Sequence, residues 1–220
     1  MSDLERYFRS NTGNLINKWS HYFEIYDRHL SKYRDTDVHL VEIGVRHGGS
    51  LQMWKHYFGA RAKIYGVDIH PRSYELAEDQ IEIFIGDQED KAFLSSLAAQ
   101  LPRIDILIDD GGHTMPQQLN TFETLFPEIS PDGVYICEDT HTSFSKTFGG
   151  GFRDKGSFLE TSKGLIDDLH GYHKRGKNPD FRITDHTRSI DSVHFYDCMV
   201  LIEKEARDKP EMVYTGQPQF

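Results

Sequence analysis

From residue 38 onward the chain alternates between short apolar runs ending in glycine or acid and longer stretches with apolar positions three or four apart. VHLVEIG (38–44) is the first run, and a helical stretch carrying Leu51, Met53, Trp54, Tyr57 and Phe58 follows it. KIYGVDI (63–69) is the second, with a short helix after Ser73; IEIFIGD (81–87) is the third, followed by a helix bearing Phe93, Leu94, Leu97 and Leu101. IDILIDD (104–110) precedes a helix with Leu119, Phe122, Leu125 and Phe126, and GVYICED (133–139) closes the series. Strand-like runs alternating with amphipathic helices predict an α/β fold, a mostly parallel sheet with helices on both faces. The later IDSVHFYDCMVLIEKE reads as two strands meeting near Asp197, an antiparallel edge hairpin.

Outside this rhythm, the segment 14–33 places Trp19, Tyr22, Phe23, Tyr26, Leu30 and Tyr33 three or four apart. That spacing predicts one helix whose aromatic face packs on the core. THTSFSKTFGGGFRDKG (140–156) is rich in Gly, Ser and Thr and reads as a mobile loop. A helix with Phe158, Leu165, Ile166, Leu169 and Tyr172 follows, then the polar stretch HKRGKNPD (173–180) and an irregular tail from residue 206. The expected organisation is one domain over 1–220, with a helical arm at 1–36 and an acceptor loop and helix inserted at 140–180.

Composition narrows the function classes. Thirty-five acidic against 25 basic side chains give a formal net charge of −10, which disfavours nucleic acid or an anionic membrane as partner. No apolar run is long enough to span a bilayer, and the first ten residues carry no signal-peptide pattern, so a cytoplasmic protein is expected. Both cysteines, Cys137 and Cys198, fall in apolar runs and read as reduced core thiols.

In an open parallel sheet, ligands bind at the carboxyl ends of the strands, so the polar residues there are informative. The first run ends Glu42-Ile43-Gly44-Val45-Arg46-His47-Gly48-Gly49-Ser50. No glycine stands two after Gly44, so this is not the dinucleotide G-x-G-x-x-G. An acidic residue, Gly44, and then Gly48 resemble motif I of the S-adenosylmethionine methyltransferases, implying a Rossmann-like fold. By that likeness Glu42 binds the cofactor's amino group, and Gly44 and Ser50 belong to the cofactor loop. Asp68, ending the second run, would accept hydrogen bonds from the ribose hydroxyls, and Asp87 and Gln88 would contact the adenine. Asp109, at the tip of the fourth run, joins this set.

The fourth run ends Asp109-Asp110-Gly111-Gly112-His113 and the fifth Cys137-Glu138-Asp139. Adjacent strands lie about 4.8 Å apart, so Asp110, Glu138 and Asp139 converge at the cleft mouth. Clustered carboxylates need a cation or a proton, and oxygen donors suit a hard ion such as Mg²⁺. IDDGGH, ICEDTHTSF and HFYDCMVLIEK together resemble the Mg²⁺-dependent sugar O-methyltransferases of macrolide and aminocoumarin antibiotic biosynthesis and the related cephalosporin hydroxylase-like group. The likeness covers about residues 12 to 205; the larger macrolide enzymes carry an extra N-terminal domain where this chain has a short helical arm. It implies Asp110, Glu138 and Asp139 as metal ligands and His113 as general base, with His141 as a second candidate.

The chemistry points the same way. A sugar hydroxyl must lose its proton as it attacks a sulfonium methyl, a cation lowers its pKa, and an imidazole can take the proton at neutral pH. The expected acceptor is therefore a small sugar or glycoside, and the expected assembly a homo-oligomer. Two alternatives remain: methyl transfer to a catechol-type diol, and a cofactor-binding subunit without catalysis.

Overall fold

A computed structural model describes every residue except Lys174, Arg175 and Lys177, so that part of the 173–180 polar stretch lies outside the described residues. Among the described residues seven strands form one sheet: β1 (His39–Ile43), β2 (Lys63–Asp68), β3 (Ile81–Ile85), β4 (Ile104–Asp109), β5 (Ile129–Cys137), β6 (Ile190–Tyr196) and β7 (Met199–Lys204). Their order is β3-β2-β1-β4-β5-β7-β6. The first five are parallel, and β7 runs antiparallel to both β5 and β6. This is the Rossmann-like architecture expected from the alternating runs, with the hairpin at one edge.

Among the described residues seven α-helices accompany the sheet: α1 (Asp3–Ser10), α2 (Tyr22–Leu30), α3 (Gly49–Phe58), α4 (Lys91–Gln100), α5 (Met115–Leu125), α6 (Phe158–Leu169) and α7 (Asp185–Ser189). Strand side chains alternate between faces, so each strand serves two cores. On one face Leu40, Ile64, Ile106, Ile108, Val134 and Ile136 pack against Tyr22, Phe23, Tyr26, Trp54 and Phe58 from α2 and α3. On the other, Val41, Val67, Leu107, Tyr135 and Val200 pack against Leu94, Leu97, Phe122, Leu125, Phe158 and Leu165 from α4, α5 and α6.

The predicted helix over 14–33 is shorter than its spacing suggests. Helix α2 begins only at Tyr22, a 3₁₀ turn occupies Ser31–Tyr33, and residues 11–21 form an irregular strap. The strap lies so close on the start of α3 that a Cβ at Gly49 would stand 2.4 Å from the Asn14 carbonyl oxygen and 2.5 Å from that of Leu15. Ile16 anchors it in the core. The glycine-rich stretch after β5 is likewise built of 3₁₀ turns, Thr140–Phe144 and Lys146–Phe148, closed by Gly150 N–H to Ser145 and Gly151 N–H to Ser143. Cys137 is buried in β5 as expected, but Cys198 sits in the β6–β7 turn at φ 59°. Among the described residues no helix is long and apolar enough to cross a membrane.

Candidate active site

A cavity of about 1090 Å³ opens at the carboxyl ends of β1, β2 and β4. Its wall is made by the loop after β1, where Gly44 turns at φ +95° and a Cβ would fall 2.0 Å from the carbonyl oxygen of Asp110. Only glycine fits so close to a neighbouring backbone. Asp68 braces that loop: Oδ2 accepts from the N–H groups of Val45 (3.0 Å) and Arg46 (2.8 Å), while Oδ1 accepts from His70 N–H. Gln88 ties the opposite wall, donating to Asp109 and accepting from Gly112 N–H. Gly44, Ser50, Asp68, Asp87, Gln88, Asp110, His113 and Asp139 all line the cavity.

Four expected site residues lie elsewhere. Glu42 is fully buried, accepts from Ser50, Trp54 and Lys18, and does not line the cavity. Asp109 points to the opposite face of the sheet, bound to Gln88 and Tyr135; burial pushes its carboxyl up to about 7. Glu138, expected as a metal ligand, is closed off by Lys18 and Tyr26, whose hydroxyl donates to it at 2.5 Å. His141 is exposed beside Trp19, edge-on at 6.4 Å, and outside the cavity lining.

Lys18, from the strap, is the residue that the sequence reading missed. Its ammonium lies 2.6 Å from Asp110 Oδ2, 2.9 and 3.0 Å from the two oxygens of Glu138, and 3.4 Å from Glu42 Oε1. Burial alone would lower its pKa, but the carboxylates of Asp110, Glu138 and Glu42 outweigh that and hold it well above the ordinary lysine value. Burial, and then the neighbouring Asp110, push the Glu138 carboxyl upward against the pull of Lys18. No periodicity or spacing in the sequence marks Lys18; the only local cue is a cation beside aromatic residues.

A second, outer cluster faces the cavity. Asp110 Oδ1 and Asp139 Oδ2 stand 3.8 and 3.5 Å from His113 Nε2, and one donor atom from each residue falls within 4.8 Å of the others. Asp139 is held by Trp19 Nε1–H at 2.9 Å and the Tyr22 hydroxyl at 3.0 Å, both on Oδ1, which leaves Oδ2 free. His113 and Asp139 both adopt left-handed backbone, φ 59° and 52°. For non-glycine residues that costs about 1–2 kcal/mol each, and such strain concentrates at functional sites. His113 Nδ1 is buried without a hydrogen-bond partner. Two carboxylate oxygens and no thiolate form a donor set that fits a hard divalent ion, and the His113 imidazole stands beside them.

Comparison with known proteins gives the family. Residues 41–140 match the family described as Methyltransferase domain. The chain is 39% identical over 198 residues to 8-demethyl-8-alpha-L-rhamnosyl tetracenomycin-C 2'-O-methyltransferase of Streptomyces olivaceus, covering 84% of this chain and 50% of that protein. It is 38% identical over 207 residues to demethylmacrocin O-methyltransferase of Streptomyces fradiae, covering 86% and 51%. The solved structure of the MycE methyltransferase from the mycinamycin biosynthetic pathway, in complex with Mg, SAH and mycinamycin VI, superposes with a TM-score of 0.82 at 31% identity, covering 100% of this chain and 56% of that one. The chain thus spans about half the length of the curated relatives it matches. With a Rossmann-like sheet, a motif I glycine turn and this degree of likeness, the chain belongs to the class I methyltransferase family, among relatives that are sugar O-methyltransferases of antibiotic pathways.

Proposed function

We propose that this protein transfers the methyl group of S-adenosylmethionine to a hydroxyl of a sugar carried on a small-molecule glycoside, assisted by a divalent cation, Mg²⁺ in the first place. The observation that carries the reading is the outer cluster of Asp110, His113 and Asp139 at the lip of a cavity lined by Gly44, Asp68 and Gln88. The rhamnosyl tetracenomycin-C named for one relative, with methylation at its 2'-oxygen, supports a sugar hydroxyl as the target.

S-adenosylmethionine supplies an electrophilic methyl on sulfonium sulfur, and the cation, when bound, supplies Lewis acidity that makes an acceptor hydroxyl easier to deprotonate. The chain's residues do the rest. Asp110 Oδ1 and Asp139 Oδ2 would hold the cation, with Asp139 oriented by Trp19 and Tyr22. His113 Nε2 takes the hydroxyl proton, and the two carboxylates beside it stabilise the imidazolium. As the oxygen bonds to the methyl carbon, the carbon–sulfur bond breaks and its electron pair returns to sulfur, leaving S-adenosylhomocysteine. Asp68 and Gln88 keep the cavity walls in place, and Asp68 remains the candidate for the ribose. Glu138 serves by anchoring Lys18, and His141, outside the cavity, is a candidate acceptor contact only.

Purified protein with labelled S-adenosylmethionine, Mg²⁺ and a panel of rhamnosyl and other deoxyhexosyl glycosides tests this. Label should enter the glycoside, vanish with EDTA and return with Mg²⁺. Full turnover in chelator would remove the cation from the mechanism. Cofactor binding with no turnover on any glycoside would favour a non-catalytic subunit.

A further inference from the structure

The carboxylates at the strand tips form two cation positions, not one. The inner is surrounded by Glu42, Asp110 Oδ2 and Glu138; the outer lies between Asp110 Oδ1 and Asp139 Oδ2, beside His113. Asp110 is shared, one oxygen facing each. Strand pairing fixes this arrangement. Ile108 aligns with Glu42 on one side and Ile136 on the other, so Asp110 and Glu138, each two residues further along, lie level and on the face that Glu42 occupies. The inner position is filled by the Lys18 ammonium, whose side chain is 2% exposed. Three carboxylates at 2.6–3.4 Å around one cationic centre is the environment that a hard metal ion would otherwise take.

We propose that Lys18 is a positioning residue that acts as a resident cation. It occupies the inner position and thereby limits the site to one divalent ion. By holding Asp110 Oδ2 it turns Oδ1 outward to that ion, and by reaching in from residues 11–21 it fastens the strap across the cavity wall formed by Gly13–Lys18. The inference rests on the reading of the outer cluster as a divalent-ion site and adds what the inner one does.

The test reads ion binding, not turnover. Mn²⁺ is titrated into wild type, Lys18→Gln, Asp139→Asn and the double variant, followed by electron paramagnetic resonance and by thermal shift. Glutamine keeps an amide donor on the strap and removes the charge. In wild type, Asp139→Asn should weaken Mn²⁺ binding at least tenfold. Lys18→Gln should bind Mn²⁺ at least tenfold more tightly than wild type, or bind a second ion, because the competing positive charge is gone. In the Lys18→Gln background Asp139→Asn should weaken binding by much less than tenfold, because the ion moves to Glu42, Asp110 and Glu138. A merely structural lysine would leave Mn²⁺ affinity unchanged or lowered and still dependent on Asp139, and that result overturns the proposal. If Lys18→Gln unfolds in chelator, refolding by Mn²⁺ supports the inner position, and no refolding at any Mn²⁺ concentration overturns it. Wild type that binds no Mn²⁺, beside a Lys18→Gln variant that does, would sink the outer-site reading while sustaining the resident cation. Absence of binding in both sinks the two together.

Discussion

Two glycine-to-alanine changes should move stability in opposite directions. At Gly44 the backbone stands at φ +95°, and an added Cβ would meet Asp110 O at 2.0 Å, Asp110 C at 2.7 Å and Gly111 Cα at 3.0 Å. All three are backbone atoms, so no side chain can swing away. Relief requires parting the loop after β1 from the tip of β4, where Asp110 N–H donates to the Ile43 carbonyl at 3.0 Å. The left-handed conformation costs about 1–2 kcal/mol, overpacking about 1–3 and the lost hydrogen bond about 1, together roughly 3–6 kcal/mol. That is a large part of the 5–15 kcal/mol that typically holds a domain together. Gly164 is the counterpart: it lies mid-way along α6, exposed, with nothing within 4 Å of an added Cβ. Alanine there should stabilise by about 0.5–1 kcal/mol through helix propensity. Urea unfolding followed by circular dichroism measures both. With an m-value of about 2–3 kcal/mol/M, Gly44→Ala should lower the midpoint by roughly 1–3 M and Gly164→Ala raise it by roughly 0.2–0.5 M. The Gly44→Ala protein that remains folded should also bind S-adenosylhomocysteine poorly. A Gly44→Ala midpoint within about 0.3 M of wild type would refute the argument, because that shift is under 1 kcal/mol.

Other outcomes follow from the same geometry. His113→Ala should lower the methyl-transfer rate by roughly 10²–10⁴-fold while leaving S-adenosylhomocysteine affinity largely intact, as single-turnover kinetics and calorimetry would show. Asp68→Ala removes three backbone acceptor contacts, so it should cost about 1.5–3 kcal/mol in unfolding free energy and weaken cofactor binding in calorimetry. Burial pushes Lys204 down to about 8 from an ordinary value of 10.5. Between those values the unfolded chain binds more protons than the folded one, so this group makes stability rise as pH is raised through that window. Comparing denaturant midpoints of wild type and Lys204→Met at pH 8 and pH 10 checks this; the rise should shrink in the variant.

The sheet and its helices were legible because each parallel strand, covered on both faces, is a continuous apolar run with a charged or glycine end. The strand ends were legible too, and with them Gly44, Asp68, Asp110, His113 and Asp139. Depth was not. Glu42, Asp109 and Glu138 share those ends, but whether a carboxylate faces the cavity or the interior depends on strand parity and on what packs above it. Asp109 and Asp110 are neighbours in sequence and lie on opposite faces of the sheet. The strap was misread for a different reason. Trp19, Tyr22, Phe23 and Tyr26 keep helical spacing, so local pattern favours helix from residue 14. Hydrogen bonds from Lys18 and Trp19 to residues 92 and 120 positions away override that preference, and nothing local announces them.

That same strap bears on how the site comes into being on the ribosome. Tyr22 donates to Asp139 and to the Cys198 carbonyl, and His21 pairs with the Asp197 carbonyl, contacts separated by 117 to 176 residues. At about 5–20 residues per second, His21 and Tyr22 wait roughly 10–40 s for the hairpin that accepts their hydrogen bonds. Closing such long loops is slow, because the chain must be brought together before any bond rewards it. The seat of the strap against the hairpin is therefore among the last contacts of the nascent chain to close.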